Sequence, residues 1–351
     1  MCSLILAGRG ILNPDESTES AMLMNRRVGL TVLLVSLLSG LALHSGDTGA
    51  PPKTAATNTT QGGNTAPASS ERPIRIDVQL VEVNISVIDP YNRFVTGLDR
   101  DHFQVYEDDQ QQVISHFTSE DVPISVGLIF DTSGSMSDKI DKSRMAINQF
   151  FRSSNPADEF FVISFNDRPS EVSGFTHDLD SLQSKLNFTE AKGRTALFDA
   201  IYLGINEMRK AKFSRKVLLV ISDGGDNHSR YTEQDIKRIV KEADVQIYSV
   251  GIYEPYSNRG RTPEELAGPS LLTELSELTG GRQFPVENLN DLPDITRKIS
   301  RELRNLYIVG YAPTNAKRDG KWRKIRVKLL PPKGLPPLHL FAKSGYYAPV
   351  Q

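Results

Sequence analysis

Oxygen-bearing side chains gather at three points of this chain, each beside a buried-looking apolar run or just ahead of a helical segment. Asp131-Thr132-Ser133-Gly134-Ser135 follows the run Ile124 to Phe130, and Ser222-Asp223-Gly224-Gly225-Asp226 follows Val217 to Ile221. Between them, Gly193-Arg194-Thr195 precedes a helical pattern. Hydroxyl and carboxylate oxygens are hard donors that suit Mg²⁺ or Mn²⁺, and the three segments hold neither His nor Cys, which disfavours zinc. The candidate ligands are Asp131, Ser133, Ser135, Thr195 and Asp223. Only two of these are carboxylates, so a divalent ion held among them stays under-neutralised. Such a site gains by accepting one more anionic oxygen, and the Asp or Glu of a partner protein is a natural source.

Those segments can meet only if the surrounding elements bring them to one edge. Ile124 to Phe130 is nearly continuous in apolar character, the mark of a strand buried on both faces of a parallel sheet. Strands and amphipathic helices then alternate. Met145, Ile147, Phe150 and Phe151 are expected on one helix face, and Phe160 to Phe165 is a strand. Leu197 to Met208 reads as a helix, Val217 to Ile221 as a strand, Ile236 to Ala243 as a helix and Val245 to Ile252 as a strand. Thr262-Pro263-Glu264-Glu265 has the form of an N-cap, a proline at the first helical position and a capping-box glutamate. It opens a helix through Leu278 that Gly280-Gly281 closes, followed by a strand at Gln283 to Val286 and a helix around Leu292 to Leu303. This order predicts an α/β fold, doubly wound on a mostly parallel sheet, in which ligands bind at the carboxyl ends of the strands.

Both flanks read as β. On the N-terminal side, apolar and polar residues alternate from Ile74 to Ile88 with a phase slip at Leu80-Val81, the sign of a bulge or a crossing between sheets. A turn at Asp89-Pro90-Tyr91-Asn92 and short strands at Phe103 to Glu107 and Val113 to Phe117 follow. On the C-terminal side, Leu306 to Tyr311, Trp322 to Leu330 and Leu338 to Ser344 are strand-like. Each set is too small to stand alone. The expectation is one small β-sandwich built from residues 73–120 and 306–351 around an α/β domain at 121–305; two separate β appendages are the alternative.

The D-x-S-x-S of Asp131 to Ser135, with a threonine on a second loop and an aspartate on a third, resembles the metal-ion-dependent adhesion site of von Willebrand factor A and integrin domains. The likeness runs from about Ile124 to Leu306 and takes in Thr195-Ala196-Leu197-Phe198-Asp199-Ala200 and Thr279-Gly280-Gly281-Arg282-Gln283-Phe284. It implies a Rossmann-like fold in which Ser133, Ser135 and Thr195 reach the ion directly, while Asp131 and Asp223 act largely through bound waters. The whole chain is similar to a group of von Willebrand factor A-related proteins found in acidobacteria, through Val95-Thr96-Gly97-Leu98, Val105-Tyr106-Glu107-Asp108 and Gly345-Tyr346-Tyr347-Ala348-Pro349. Integrin β-type domains carry two adjacent aspartates after the first loop that help hold a second cation. Here Asp138 fits the first and Lys139 replaces the other, which argues against a second metal.

The totals narrow the function further. The chain has 351 residues, a formal net charge of −2 and a single cysteine, Cys2. That balance disfavours nucleic acid as the main partner, and one cysteine permits no internal disulfide. Arg26 and Arg27 precede an apolar run from Val28 to Leu43, about sixteen residues and short for a membrane span. Residues 1–44 are therefore expected to be a signal peptide or membrane anchor, with translation starting at Met22 or Met24 as one possibility. Residues 45–72, rich in small and polar types, are expected to be a disordered linker. The protein is thus expected to be exported to the periplasm, cell envelope or medium. Asp226 and Asn227 are expected to cap the next turn, and Tyr253 to Arg261 to form an irregular insertion beside the metal face. The leading functional reading is an exported, non-enzymatic binding module. One alternative is an envelope protein whose metal only stabilises its own loops. The other is a hydrolase with Asp131 as nucleophile, although Ser133 stands where haloacid dehalogenase-type enzymes carry a second aspartate.

Overall fold

The two flanks and the central α/β segment each form the class of structure their patterning predicts, in a computed structural model that describes residues 80–253 and 263–350. Four strands come first: β1 Val81–Ile88, β2 Phe103–Glu107, β3 Gln110–Gln112 and β4 Ile114–Thr118. The α/β segment then runs β5 Ser125–Asp131, α1 Ile140–Ser153, β6 Glu159–Phe165, β7 Pro169–Thr176, α2 Leu179–Asn187, α3 Leu197–Glu207, β8 Lys216–Ser222, α4 Glu233–Glu242, β9 Gln246–Ile252, α5 Pro263–Leu278, β10 Gln283–Val286 and α6 Leu292–Arg304. The chain ends with β11 Tyr307–Tyr311, β12 Trp322–Leu329, β13 His339–Ala342 and β14 Gly345–Tyr347.

The central sheet has the order β10-β9-β8-β5-β6-β7. Every pairing is parallel except that of β6 with β7, where an antiparallel strand closes the edge. Every residue of β5 is buried, as its apolar run requires of a strand covered on both sides. Val126, Leu128 and Phe130 pack with residues of α1, α2 and α6, whereas Ile129 packs with residues of α3, α4 and α5. The sheet is therefore doubly wound. From β5 the chain moves one way to β6 and β7, then returns to lay β8 on the other side of β5. This reversal puts the carboxyl ends of β5 and β8 side by side at a topological switch point, where open α/β sheets open a crevice.

The flanking strands interleave. One antiparallel sheet has the order β13-β1-β11-β4 and the other β14-β12-β2-β3, so each contains strands from both ends of the chain. Their facing side chains share one core, including Val83, Ile85, Phe103, Val105, Tyr307, Val309 and Ile325. Two separate β appendages are thereby ruled out: neither flank has enough strands to bury its own apolar face, and each completes the other's sheets. The sandwich is tied to the α/β segment through Arg282. Its guanidinium lies between the rings of Phe284 and Phe341, donates to Glu302 Oε2 at 2.9 Å and reaches Asn92 Oδ1 at 3.2 Å.

Several local expectations need correction. Met145 is 57% exposed; the inner face of α1 is Ile140, Ser143, Ala146, Ile147, Phe150 and Phe151, and Met145 falls about half a turn out of phase with Ile147. The polar Gln110–Gln112 forms β3, paired with β2 through a two-residue turn in which Asp108 and Asp109 both take positive φ. Leu338 to Ser344 holds the one strand β13, paired with β1, and a further strand beyond it that the patterning did not predict, β14, pairs with β12 in the other sheet. The readings of residues 1–44 and 45–72, the part of the alternating segment before Leu80, and the Thr262 cap lie outside the described residues. So does most of the insertion from Tyr253 to Arg261. Among the described residues no helix is long and apolar enough to cross a membrane.

Candidate metal centre

Asp131 ends β5 and is 0% exposed. Its Oδ1 accepts from the backbone N–H of Ser133 at 2.8 Å, an Asx-turn that bends the chain sharply off the strand. Its Oδ2 accepts from the Ser222 hydroxyl at 2.6 Å, across the junction between β5 and β8. Thr132 turns away from the crevice: its N–H and its hydroxyl both donate to the Phe165 carbonyl at the end of β6. That leaves Ser133 and Ser135, whose hydroxyl oxygens lie 3.0 Å apart. A short 3-10 turn at Gly134–Met136 carries the chain onward, anchored by the fully buried Met136.

The second loop is fastened to the first. Gly134 N–H donates to the Gly193 carbonyl at 3.0 Å. Gly193 has φ of +78°, and a Cβ there would come within 2.6 Å of an Asp167 carboxylate oxygen, so this position needs glycine on two counts. Asp167 also accepts from the Arg194 N–H. Thr195, which is buried, is clasped by the third loop: its N–H donates to Asn227 Oδ1 at 3.0 Å, and its carbonyl accepts from the N–H groups of Asn227 and His228. Asn227 thus bridges to Thr195 instead of capping the turn after it. Asp226 does cap that turn, accepting from Ser229, and it also accepts from Phe198 N–H in the first turn of α3. Three loops distant in sequence are therefore bonded into one ledge at the carboxyl end of the sheet.

The electrostatics of the ledge are unbalanced toward the negative. Burial pushes the Asp131 carboxyl up to about 7, with the nearby charge of Asp223 adding to the shift and hydrogen bonds from Ser133 and Ser222 opposing it. The Asp223 side chain is 13% exposed, and one of its oxygens lies 3.7 Å from the Lys139 ammonium, whose side chain is 7% exposed. Tyr253, at the end of β9, has its phenol pushed up by burial, with the charge of Asp223 contributing.

These observations test whether the residues suit a divalent ion. Two carboxylates share a desolvated pocket with the Lys139 ammonium near, beside paired serine hydroxyls and a buried threonine; hard oxygen donors in such a crevice fit Mg²⁺ or Mn²⁺. Among the described residues no three His, Cys, Asp or Glu side chains cluster to hold a metal by themselves, as expected where hydroxyls make up most of the donor set. Reading the residues alone gave no role to Ser222 or Asp167 and took Asn227 for a cap. Only Ser222 carried a usable signal, sitting next to Asp223 at a strand end; the other two are polar loop residues whose partners lie across the fold.

Comparison with known proteins bears on this arrangement. Residues 126–225 match the family model of the von Willebrand factor type A domain. Among solved structures, a von Willebrand factor type A protein from Catenulispora acidiphila covers 76% of this chain and 74% of its own, at 12% identity and a TM-score of 0.46. The protein BatB from Bacteroides thetaiotaomicron covers 51% of this chain and 98% of its own, at 19% identity and a TM-score of 0.41. A stretch of 137 residues is 31% identical to a coproporphyrin III ferrochelatase of Oceanobacillus iheyensis, covering 36% of this chain and only 42% of that relative. The family match lies across β5, the two neighbouring loops and β8, so it is this stretch, residues 126–225, that is similar to a von Willebrand factor type A domain.

Proposed function

We propose that this protein is a metal-dependent binding module: Asp131, Ser133, Ser135, Thr195 and Asp223 hold one Mg²⁺ or Mn²⁺, and an Asp or Glu of a partner protein completes its coordination. The observation that carries this reading is the buried Asp131 carboxyl, held beside Asp223 at the switch point of the sheet together with converging serine hydroxyls. The ion supplies the positive charge that receives an external carboxylate. The protein's own residues fix the loops: Ser222 orients Asp131, Gly193 anchors the first loop, and Asn227 positions Thr195. A catalytic role is disfavoured, because Asp131 as nucleophile is wholly buried and both its oxygens are engaged. The composition of residues 22–72 supports display outside the cytoplasm, on a signal or anchor followed by a tether. The test is Mn²⁺ titration read by electron paramagnetic resonance, followed by acetate added as a carboxylate probe while water-proton relaxation is monitored. Saturable binding near one equivalent, lost in Ser133→Ala and Thr195→Ala, with acetate displacing a bound water, supports the reading. Binding that ignores both substitutions would overturn the ligand assignment, and loaded protein that ignores acetate would overturn the carboxylate role.

A further inference from the structure

Lys139 is a charged residue at this ledge that the ligand set does not use. It ends the turn after Ser135 and stands at the N-cap of α1. Its backbone is pinned: the N–H donates to the Met136 carbonyl at 2.9 Å, and its own carbonyl accepts from Ser143 N–H and the Ser143 hydroxyl, each at 3.0 Å. The ammonium is thereby held in the interior, 3.7 Å from Asp223 Oδ2. Burying a lysine is costly, and exposed lysines at helix starts are easily accommodated, so a side chain drawn inward to a candidate ligand calls for an electrostatic account.

Resting on the metal-site reading above, we infer that Lys139 is a charge-setting residue that weakens the hold on the cation and strengthens the hold on an anionic partner. With a divalent cation beside it, the Lys139 ammonium raises the local potential, which opposes the cation and favours an incoming carboxylate. Without the ammonium, the same carboxylates meet the cation with less opposition and leave less positive charge to receive an anion in a desolvated place. The positive N-terminal end of α1, fourteen residues long, adds to the same bias. Lys139 thus favours a site that grips an acidic ligand over one that merely stores metal.

The two roles predict opposite results for Lys139→Gln. A lysine that only props up the loop predicts looser Mn²⁺ binding when it is removed, since the ligands lose their positions. A charge-setting lysine predicts tighter Mn²⁺ binding, by roughly tenfold or more, the effect a unit charge a few ångströms from a divalent ion keeps even at a water-like dielectric, together with weaker acetate binding by the loaded protein. Lys139→Arg keeps the charge and is expected to stay near wild type in both measurements. The apo Lys139→Gln protein, checked for folding by circular dichroism, is expected to melt lower than wild type in EDTA because the carboxylates lose their counter-charge. Equal or weaker Mn²⁺ binding by folded Lys139→Gln, while wild type binds, overturns the role of Lys139 alone. If wild type and both variants all fail to bind Mn²⁺ saturably, the metal site itself is overturned and this inference with it.

Discussion

Replacing Asp131 by Asn is expected to make the metal-free protein more stable while abolishing its response to metal. The carboxyl is fully buried, and its position at about 7 against an ordinary 3.8 means that the folded state holds this proton more tightly than the unfolded chain does. A raised carboxyl contributes stability that is fully present below the unfolded value and is lost as pH rises through the folded one. The metal-free wild type should therefore lose stability between about pH 4 and pH 7 on account of this group. About three pH units at 1.36 kcal/mol each set a ceiling on the order of 4 kcal/mol. Asn keeps the shape and can still accept from Ser133 N–H, but it forfeits the charge-assisted part of the bond from Ser222, worth about 1 kcal/mol. The net gain for Asp131→Asn should be about 1–3 kcal/mol near pH 8 in EDTA, shrinking toward nothing near pH 4. Urea unfolding followed by circular dichroism at both pH values measures it, and repeating the pH 8 series with Mg²⁺ should stabilise wild type but leave the variant unmoved. An Asn variant that is no more stable than wild type near pH 8 in EDTA, or a difference that does not vary with pH, would refute the charge argument.

Two further changes test how the ledge and the two parts of the fold are held. Asp226→Ala removes the acceptor for Phe198 N–H and for Ser229, and should cost about 1–2 kcal/mol in urea unfolding while weakening Mn²⁺ binding through the third loop. Arg282→Ala strands the fully buried Glu302 without its partner and empties the space between Phe284 and Phe341; a loss of about 3–5 kcal/mol is expected. Adding Glu302→Leu to Arg282→Ala should recover the part of that loss that comes from the stranded charge, which a purely local packing defect at Arg282 would not allow.

The periodicity of the chain was a good guide wherever burial was simple. Ser125–Asp131 is covered on both faces, so its apolar run is uninterrupted, and Gln283–Val286 has the predicted bounds. The pattern misled where one residue's environment departed from its neighbours': Met145 lies on the open side of α1, and the three glutamines of β3 pair at a sheet edge where no apolar face is required. The antiparallel β7 and helix α2 had no distinct signature, being half-exposed elements in a polar stretch.

The sequence by itself determined the element types of the α/β segment, the β character of the flanks and the identity of Asp131, Ser133, Ser135, Thr195 and Asp223 as candidate ligands. These depend on local composition and on a strand or helix period, which short-range chemistry controls. Only the tertiary structure decided what those residues share. The reversal of chain direction between β5 and β8 sets Ser222 against Asp131, the Asn227 amide clasps Thr195, and the ammonium of Lys139 turns inward to Asp223. Each of these joins residues far apart along the chain or sets the burial that shifts a charge, and neither distance nor dielectric is written in a local pattern.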